Sequence, residues 1–199
     1  MLIADLHNIR YKEWQNFLLS ISNDSFDVVG LLGDIYGQYL SEIRDTFIDK
    51  KIIGVLGNHD QIGKFDHYNI ENIHGRIIDV NGFAVLGVEG SVKYKYNDRL
   101  PLYTQEEMIK ICDNFKKADI VLTHNSPYGI HDRYNLEDND IVHQGFIGLK
   151  NYIEKNRPKY CIHGHQHIDK ATKYLDTNIV GVYGANILDV STGKIKKFF

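Results

Sequence analysis

Five short segments of this 199-residue chain carry side chains able to bind divalent cations or move protons. They are Asp5-Leu6-His7, Gly33-Asp34, Gly57-Asn58-His59-Asp60, Thr123-His124 and His163-Gly164-His165-Gln166-His167. The donors are oxygen and nitrogen, with no cysteine, a set that suits zinc, manganese, iron or nickel better than a structural zinc knuckle. Asp5, His7, Asp34, Asn58, His124, His165 and His167 are too many for one tetrahedral ion and suit two, with one carboxylate shared. Two cations roughly 3.5–4 Å apart can clamp the attacking and leaving oxygens of an in-line displacement, and a single zinc lowers the pKa of its bound water from about 15.7 to roughly 7. With Asp5 and Asp34 as the offsetting charges, such a pocket stays positive and attracts a phosphate ester without an arginine cluster.

Every one of these segments follows an apolar run of strand length: residues 2–4, 28–32, 52–56, 120–122 and 160–162. Their isoleucine and valine content favours strand over helix, and their nearly unbroken apolar character suits strands covered on both faces. In open α/β sheets, ligands collect beyond the carboxyl ends of the strands, so residues spread over most of the chain can converge. Residues two apart in extended backbone project to the same side, which lets Asp5 share a target with His7, and His165 with His167.

Helical spacing joins Trp14, Phe17, Leu18 and Ile21, and more weakly Leu40, Ile43 and Phe47. Thr104 and Glu107 make a capping-box signature ahead of Met108, Ile111, Cys112 and Phe115. Phe146, Leu149 and Ile153 mark a further helix that ends near Pro158. Residues 77–80 and 83–88 flank Asn81-Gly82, a two-residue hairpin turn, and the tail repeats the theme with strands over 179–183, 187–190 and 194–199. Strands alternating with helices, plus added hairpins, give an α/β domain with one mixed sheet or two packed sheets. Residues 125–144 make a long polar loop, of the kind that is often functional or mobile.

The five blocks, in this order, resemble those of the calcineurin-like metallophosphoesterases, and they span residues 5 to 167. The resemblance implies an α/β fold of two packed mixed sheets flanked by helices, a four-layer αββα sandwich, here over residues 1–199 as a single domain. It implies that Asp5, His7 and His167 bind one metal and that Asn58, His124 and His165 bind the other, with Asp34 bridging. A metal-bridging hydroxide would be the nucleophile. His59 would contact the phosphate or protonate the leaving oxygen, a task suited to imidazole near neutral pH. Asn58 and His59 would then be the residues that meet the substrate, and His59 and Asp34 the catalytic pair. Asp60 would orient His59 or tie down its turn. The implied cofactor is a pair of divalent ions, manganese first, with iron, zinc or nickel open. The implied reaction is hydrolysis of phosphodiesters, with phosphomonoesters left open.

The chain departs from the phosphoprotein phosphatase branch, in which the Gly-Asp block runs on into Val-Asp-Arg-Gly. Here Gly33-Asp34 continues Ile35-Tyr36-Gly37-Gln38, without the second acid and the phosphate-gripping arginine. The series Thr123-His124-Asn125-Ser126-Pro127-Tyr128-Gly129, Asp132, His143-Gln144-Gly145, Arg157-Pro158 and His163-Gly164-His165 is more loosely similar to small members related to class III cyclic-nucleotide phosphodiesterases. A non-catalytic metal-binding scaffold is the alternative, and one zinc on His163, His165 and His167 a third.

Bulk composition is ordinary for a globular protein, with 43% hydrophobic and 25% charged residues. A net charge of −3 gives no strong nucleic-acid footprint and no pull toward acidic membranes, so the expected partner is a small phosphate ester. The two cysteines, Cys112 and Cys161, fall in apolar patterns and read as core. No signal peptide or membrane-length apolar run is present, and a cytoplasmic protein is expected; oligomeric state is not encoded. The simplest readings of the remaining residues are structural. His163 supports or packs behind the site. His131 and His143 are solvated loop residues, and His67 and His74 surface or structural ones. Tyr94, Tyr96 and Tyr103 pack, and the basic segment 194–197 is a solvated edge strand.

Overall fold

The computed structural model describes residues 1–21, 25–132 and 141–199. The chain runs β1 (Leu2–Ala4), α1 (Tyr11–Ser20), β2 (Val28–Leu31), α2 (Gly37–Thr46), β3 (Lys51–Gly54), β4 (Glu71–Asn72), the hairpin β5 (Ile77–Val80) and β6 (Phe83–Val88), β7 (Ser91–Val92), β8 (Leu102–Tyr103) and α3 (Gln105–Asp113). It continues through β9 (Ile120–Thr123), α4 (Ile147–Asn156), β10 (Tyr160–His163), β11 (Lys170–Tyr174), β12 (Thr177–Gly181), β13 (Gly184–Leu188) and β14 (Ile195–Lys197).

Two mixed six-stranded sheets result. The first has the order β14-β13-β1-β2-β3-β4, with β1 to β4 parallel. The second has the order β11-β12-β10-β9-β6-β5, with β12, β10, β9 and β6 parallel. Side-chain alternation along the strands builds three apolar layers. Leu2, Ala4, Ile53, Ile120, Leu122 and Ile162 fill the space between the sheets. Ile3, Val29, Leu31 and Ile52 point the other way, against Trp14 and Phe17 of α1 and Leu40 and Ile43 of α2. Leu86, Val121 and Cys161 face Met108 of α3 and Leu149 and Ile153 of α4. Strands sandwiched in this way must be apolar on both faces, which is why their sequences do not alternate. Complete burial of each such aliphatic side chain contributes roughly 1.5–3 kcal/mol.

The four-layer αββα arrangement expected from the sequence is present. The capping box at Thr104 forms in both directions: Glu107 N donates to Thr104 Oγ1 at 3.1 Å, and Thr104 N donates to Glu107 Oε2 at 2.8 Å. Phe115 lies just beyond α3 rather than within it. Asn81 (φ 52°) and Gly82 (φ 85°) close the β5–β6 hairpin in the left-handed conformations that a tight two-residue turn requires. The tail strands are displaced from their expected bounds. β13 begins at Gly184 because Gly184, Ala185 and Asn186 pair with Ala4, Ile3 and Leu2 of β1, a demand set by a distant partner. β4, β7, β8 and β11 were not expected; they are short or, like β11, largely exposed, and show no apolar pattern. β14 is the exposed lysine-bearing edge strand anticipated for residues 194–197. Of the long loop, residues 133–140 lie outside the described part. Its base is clamped by Asp132 Oδ2, which accepts from Gly129 N at 2.9 Å and Gly145 N at 3.1 Å. No described helix is long and apolar enough to cross a membrane.

Candidate metal centre

The carboxyl ends of β1, β2 and β3 in one sheet and of β9 and β10 in the other meet at one pole. Asp5 N donates to Gly33 O at 3.1 Å within the first sheet, and Gly164 N to His124 O at 3.0 Å within the second. Further contacts join one sheet to the other. Asp5 Oδ2 accepts from His165 N at 2.8 Å, and His124 Nδ1 lies 2.6 Å from Leu32 O.

All seven candidate ligands are brought together. One donor atom each from Asp5, His7 and His167 lies within 4.8 Å of the others, and the same holds for Asp34, His124 and His165 and for His7, Asp34 and His59. The groups therefore overlap through His7 and Asp34. Asn58 joins through Oδ1, 3.0 Å from His124 Nε2. His167 Nε2 is 3.8 Å from Asp5 Oδ1, and His124 Nε2 is 3.5 Å from Asp34 Oδ2.

Backbone contacts set which nitrogen each imidazole presents. His124 Nδ1 faces the Leu32 carbonyl as an N–H donor, so Nε2 is the nitrogen turned toward Asn58 Oδ1 and Asp34 Oδ2. His165 is the reverse. Its Nε2 is 2.8 Å from Val142 O, which leaves Nδ1 for the centre. A second hydrogen bond of this kind fixes tautomer and ring orientation in metal-binding histidines.

The local backbone is strained to deliver these groups. Asp5, Asp34, His165 and His167 all adopt left-handed conformations, with φ of 55°, 56°, 63° and 50°. Gly57 admits no side chain, since a Cβ there would stand 2.1 Å from Asp34 Oδ1. The turn beneath is tied by Asp60, whose Oδ2 accepts from Asp34 N at 2.7 Å and Gly57 N at 2.9 Å. Asp60 Oδ1 accepts from Lys64 Nζ at 2.6 Å. Of the two roles open to Asp60, the geometry displays the turn tie. Asp60 lies in a turn and Lys64 opens a short 3-10 helix, so no helical spacing marks the pair in the sequence.

Charge is crowded here. Burial, with Asp34 adding to it against His124, raises the Asp5 carboxyl well above its ordinary range. Burial also opposes ionisation of Asp34, but His124 and His59 hold it below the usual carboxylate range. Burial alone would lower His124; Asp34 and Asp5 instead raise it to about 9. Burial keeps His7 and His165 below the normal imidazole value, as neutral rings with an available lone pair. Asp5 Oδ1 and His7 Nδ1 are buried without a hydrogen-bond partner among the described residues. Two buried carboxylates, orphaned donor atoms and neutral imidazoles aimed at one space fit a divalent-metal site.

His59 stands apart from the buried set. Its side chain is 54% exposed, with Nε2 4.0 Å from Asp34 Oδ2 and its ring centroid 5.3 Å from that of His7. Its backbone N donates to Asp34 Oδ1 at 2.8 Å, so its position is tied to the shared carboxylate.

Other residues read differently from their sequence. His131 and His143 are half-buried and make specific contacts rather than standing free in solvent. His131 Nδ1 pairs with His163 Nε2 at 2.9 Å and its Nε2 with Thr172 Oγ1 at 2.8 Å; the His143 ring packs 5.4 Å from that of His165. His163 is fully buried in that pair, the supporting role anticipated for it. His67 is exposed, and His74 is structural, bonded to Glu89 N at 3.1 Å and Tyr103 Oη at 3.2 Å. Tyr103 donates to Glu89 Oε1 at 2.8 Å. Tyr96 does not pack, being 83% exposed. Tyr94 reaches the centre, its Oη accepting from Asn58 Nδ2 at 3.3 Å. No local pattern distinguishes Tyr94 from its neighbours.

Residues 1–169 match the family model described as calcineurin-like phosphoesterase. No curated protein matches the chain in sequence. Among solved structures, phosphopantetheinyl hydrolase from Mycobacterium tuberculosis is similar with a TM-score of 0.63 at 13% identity, over 92% of this chain and 88% of that one. An archaeal phosphodiesterase is similar with a TM-score of 0.57 at 11% identity, over 98% and 95%. At these identities the likeness is one of fold.

Proposed function

This chain belongs to the calcineurin-like phosphoesterase family, and from that premise we propose that it is a metal-dependent hydrolase of phosphodiesters working through two divalent ions, manganese foremost. The observation that carries the reading is convergence: seven oxygen and nitrogen donors from both sheets come together in sets linked through His7 and Asp34. Asp5, His7 and His167 would hold one ion, Asn58, His124 and His165 the other, and Asp34 both. Bound there, two dications supply Lewis acidity toward the phosphoryl oxygens and acidify water.

The chain's own residues supply the rest. Asp34 is oriented by the His59 and Asp60 contacts, so its carboxylate does not need to reorganise when substrate arrives. The Leu32 and Val142 carbonyls hold His124 and His165 in register. His59, exposed and anchored to Asp34, is placed to contact the phosphate and protonate the leaving oxygen. Asn58, beside it, completes the surface that meets the ester. The solved neighbour described as a phosphodiesterase is consistent with a diester substrate.

The test is a panel of mono- and diesters, including bis-p-nitrophenyl phosphate and cyclic nucleotides, with added manganese, nickel or zinc. His59→Ala should keep two metals per chain and lose most turnover on esters with poor leaving groups. Asp34→Asn should lose the metal pair. Two bound metals with no hydrolysis anywhere in the panel would favour a non-catalytic scaffold instead.

A further inference from the structure

The segment between β7 and β8 carries charge against the trend of the chain. Residues 93–99 run Lys-Tyr-Lys-Tyr-Asn-Asp-Arg, three cations against one acid in a protein of net charge −3. Contacts at both ends hold the segment beside the metal centre. Tyr94 Oη accepts from Asn58 Nδ2 at 3.3 Å, and Arg99 O accepts from Ile62 N at 2.9 Å. The segment therefore lies along residues 58–62, the stretch that carries His59. Backbone bonds from Ser91 N to Pro101 O at 3.2 Å and from Lys93 N to Tyr103 O at 2.9 Å brace its base. Resting on the function proposed above, we infer that residues 93–99 grip single-stranded nucleic acid and that the ester hydrolysed at the centre is an internucleotide phosphodiester.

The side chains alternate cation and ring. Lys93 Nζ stands 5.0 Å from the centroid of the Tyr96 ring, and Lys95 Nζ 5.0 Å from that of Tyr94. A ring face orients an ammonium without cancelling its charge. Among the described residues, none of Lys93, Lys95 and Arg99 forms an ion pair, so all three charges are free to meet phosphates. Tyr96 is 83% exposed, which leaves the ring face away from Lys93 open. Single-stranded nucleic acid is the polymer in which phosphates alternate with exposed flat rings, and proteins hold it by a basic track and base stacking. Neither attraction needs a closed pocket. A duplex hides its base faces from Tyr96, and an acidic peptide offers charge without rings. Lys95 caps the ring whose hydroxyl touches Asn58, so a phosphate beside Lys95 belongs to a strand that also reaches the centre. There water adds to phosphorus and one P–O bond breaks, leaving a terminal phosphate on one fragment and a hydroxyl on the other.

Fluorescence anisotropy of a labelled oligothymidylate reads the surface directly, with EDTA present so that cleavage does not intrude. Lys95→Gln and Arg99→Gln should each reduce the slope of log affinity against log salt by about 0.7, the value for one phosphate contact on a single strand. Tyr96→Ala should weaken binding about tenfold and leave that slope alone, because stacking releases no counterion. Lys173→Gln, on β11 at the edge of the second sheet far from β6, is the surface-charge control and should change neither quantity. Slopes that Lys95→Gln and Arg99→Gln do not move overturn the inference. Binding that ignores Tyr96→Ala, or that polyglutamate displaces as well as unlabelled oligothymidylate does, reveals a surface for any polyanion and overturns it too. Turnover by the metal-loaded protein keeps the two readings apart. Oligothymidylate held through Lys95 and Tyr96, with no ester hydrolysed, sinks the function and leaves the surface standing. Hydrolysis of bis-p-nitrophenyl phosphate without oligothymidylate binding does the opposite.

Discussion

Replacing Asp60 by Asn tests how the floor of the centre is held. Asp60 is buried, with Oδ2 taking two backbone N–H groups and Oδ1 taking the Lys64 ammonium. An asparagine can keep both backbone donors on its one carbonyl oxygen, but its NH₂ then faces Lys64 Nζ, donor against donor. Breaking a buried ion pair by removing one partner costs about 3–5 kcal/mol. Lys64 retains some access to water, and burial with the nearby Asp34 already raises the Asp60 pKa, so the low end applies, about 3 kcal/mol. For a chain of this size that is a fall of roughly 6–12 °C in Tm. Removing both charges, in Asp60→Asn with Lys64→Met, should return stability to within about 1 kcal/mol of the parent, because a buried pair is often replaceable by uncharged groups. Asp60→Ala should be the worst, since two buried N–H groups lose their acceptor at about 1–3 kcal/mol each. Urea unfolding of the metal-free proteins, with Lys64→Met completing the double-mutant cycle, measures all of these. If the double variant is as unstable as the sum of the single ones, the ion pair has no coupling energy and the argument is wrong.

Burial holds His131 near 4, below the ordinary imidazole value, so between about pH 6.5 and 4 the unfolded chain takes up a proton that the folded chain refuses. The stability from this group is complete above that window and is lost as pH falls through it; His131→Gln should flatten part of that slope in urea midpoints taken from pH 7.5 to 4.5, and an unchanged slope counts against it. Tyr94→Phe removes the acceptor for Asn58 Nδ2 and should weaken one of the two metal-binding steps about tenfold in a calorimetric titration; equal weakening of both steps, or of neither, would refute the positioning role. His167→Gly and His167→Ala should both lose metal, but the metal-free glycine variant should be more stable by about 1–2 kcal/mol, because φ at 167 is 50° and glycine relieves the strain that alanine keeps. Equal melting temperatures would show that the strain is not there.

Where burial is two-sided, the chain states its strands openly. β1, β2, β3, β9 and β10 are apolar runs because each is covered by the other sheet on one face and by helices or tail residues on the other. The Asn81-Gly82 hairpin and the Thr104 capping box were equally legible, since each depends on a backbone geometry that few residues serve. β11 was not. Lys170, Ala171 and Lys173 are exposed, and the strand exists because β12 offers it a ladder of backbone partners. β13 was misplaced for the same reason, as its Gly184-Ala185-Asn186 start is fixed by β1, nearly the whole chain away. Pairing through backbone groups leaves little mark on side-chain type.

The same division runs through the candidate centre. Donor identities were legible because cation chemistry accepts few side chains. The orientation of those donors was not, because it rests on the Leu32 and Val142 carbonyls, which any residue could supply. Nor could the sequence announce that Asp5, Asp34, His165 and His167 sit in left-handed backbone. Such conformations cost L-residues roughly 1–2 kcal/mol each, less for aspartate, which is several kcal/mol against a total stability of about 5–15. Glycine at those positions would make a more stable protein without a centre. Burial of Asp5 and Asp34 adds a second cost of the same sign. A bound dication can offset the charge term, since it supplies the missing opposite charge, but it leaves φ where it was. The strain must therefore be carried by the folded chain in every state, and the parts that carry it are the Asp60 tie, the closely packed Gly57 and the three apolar layers behind them.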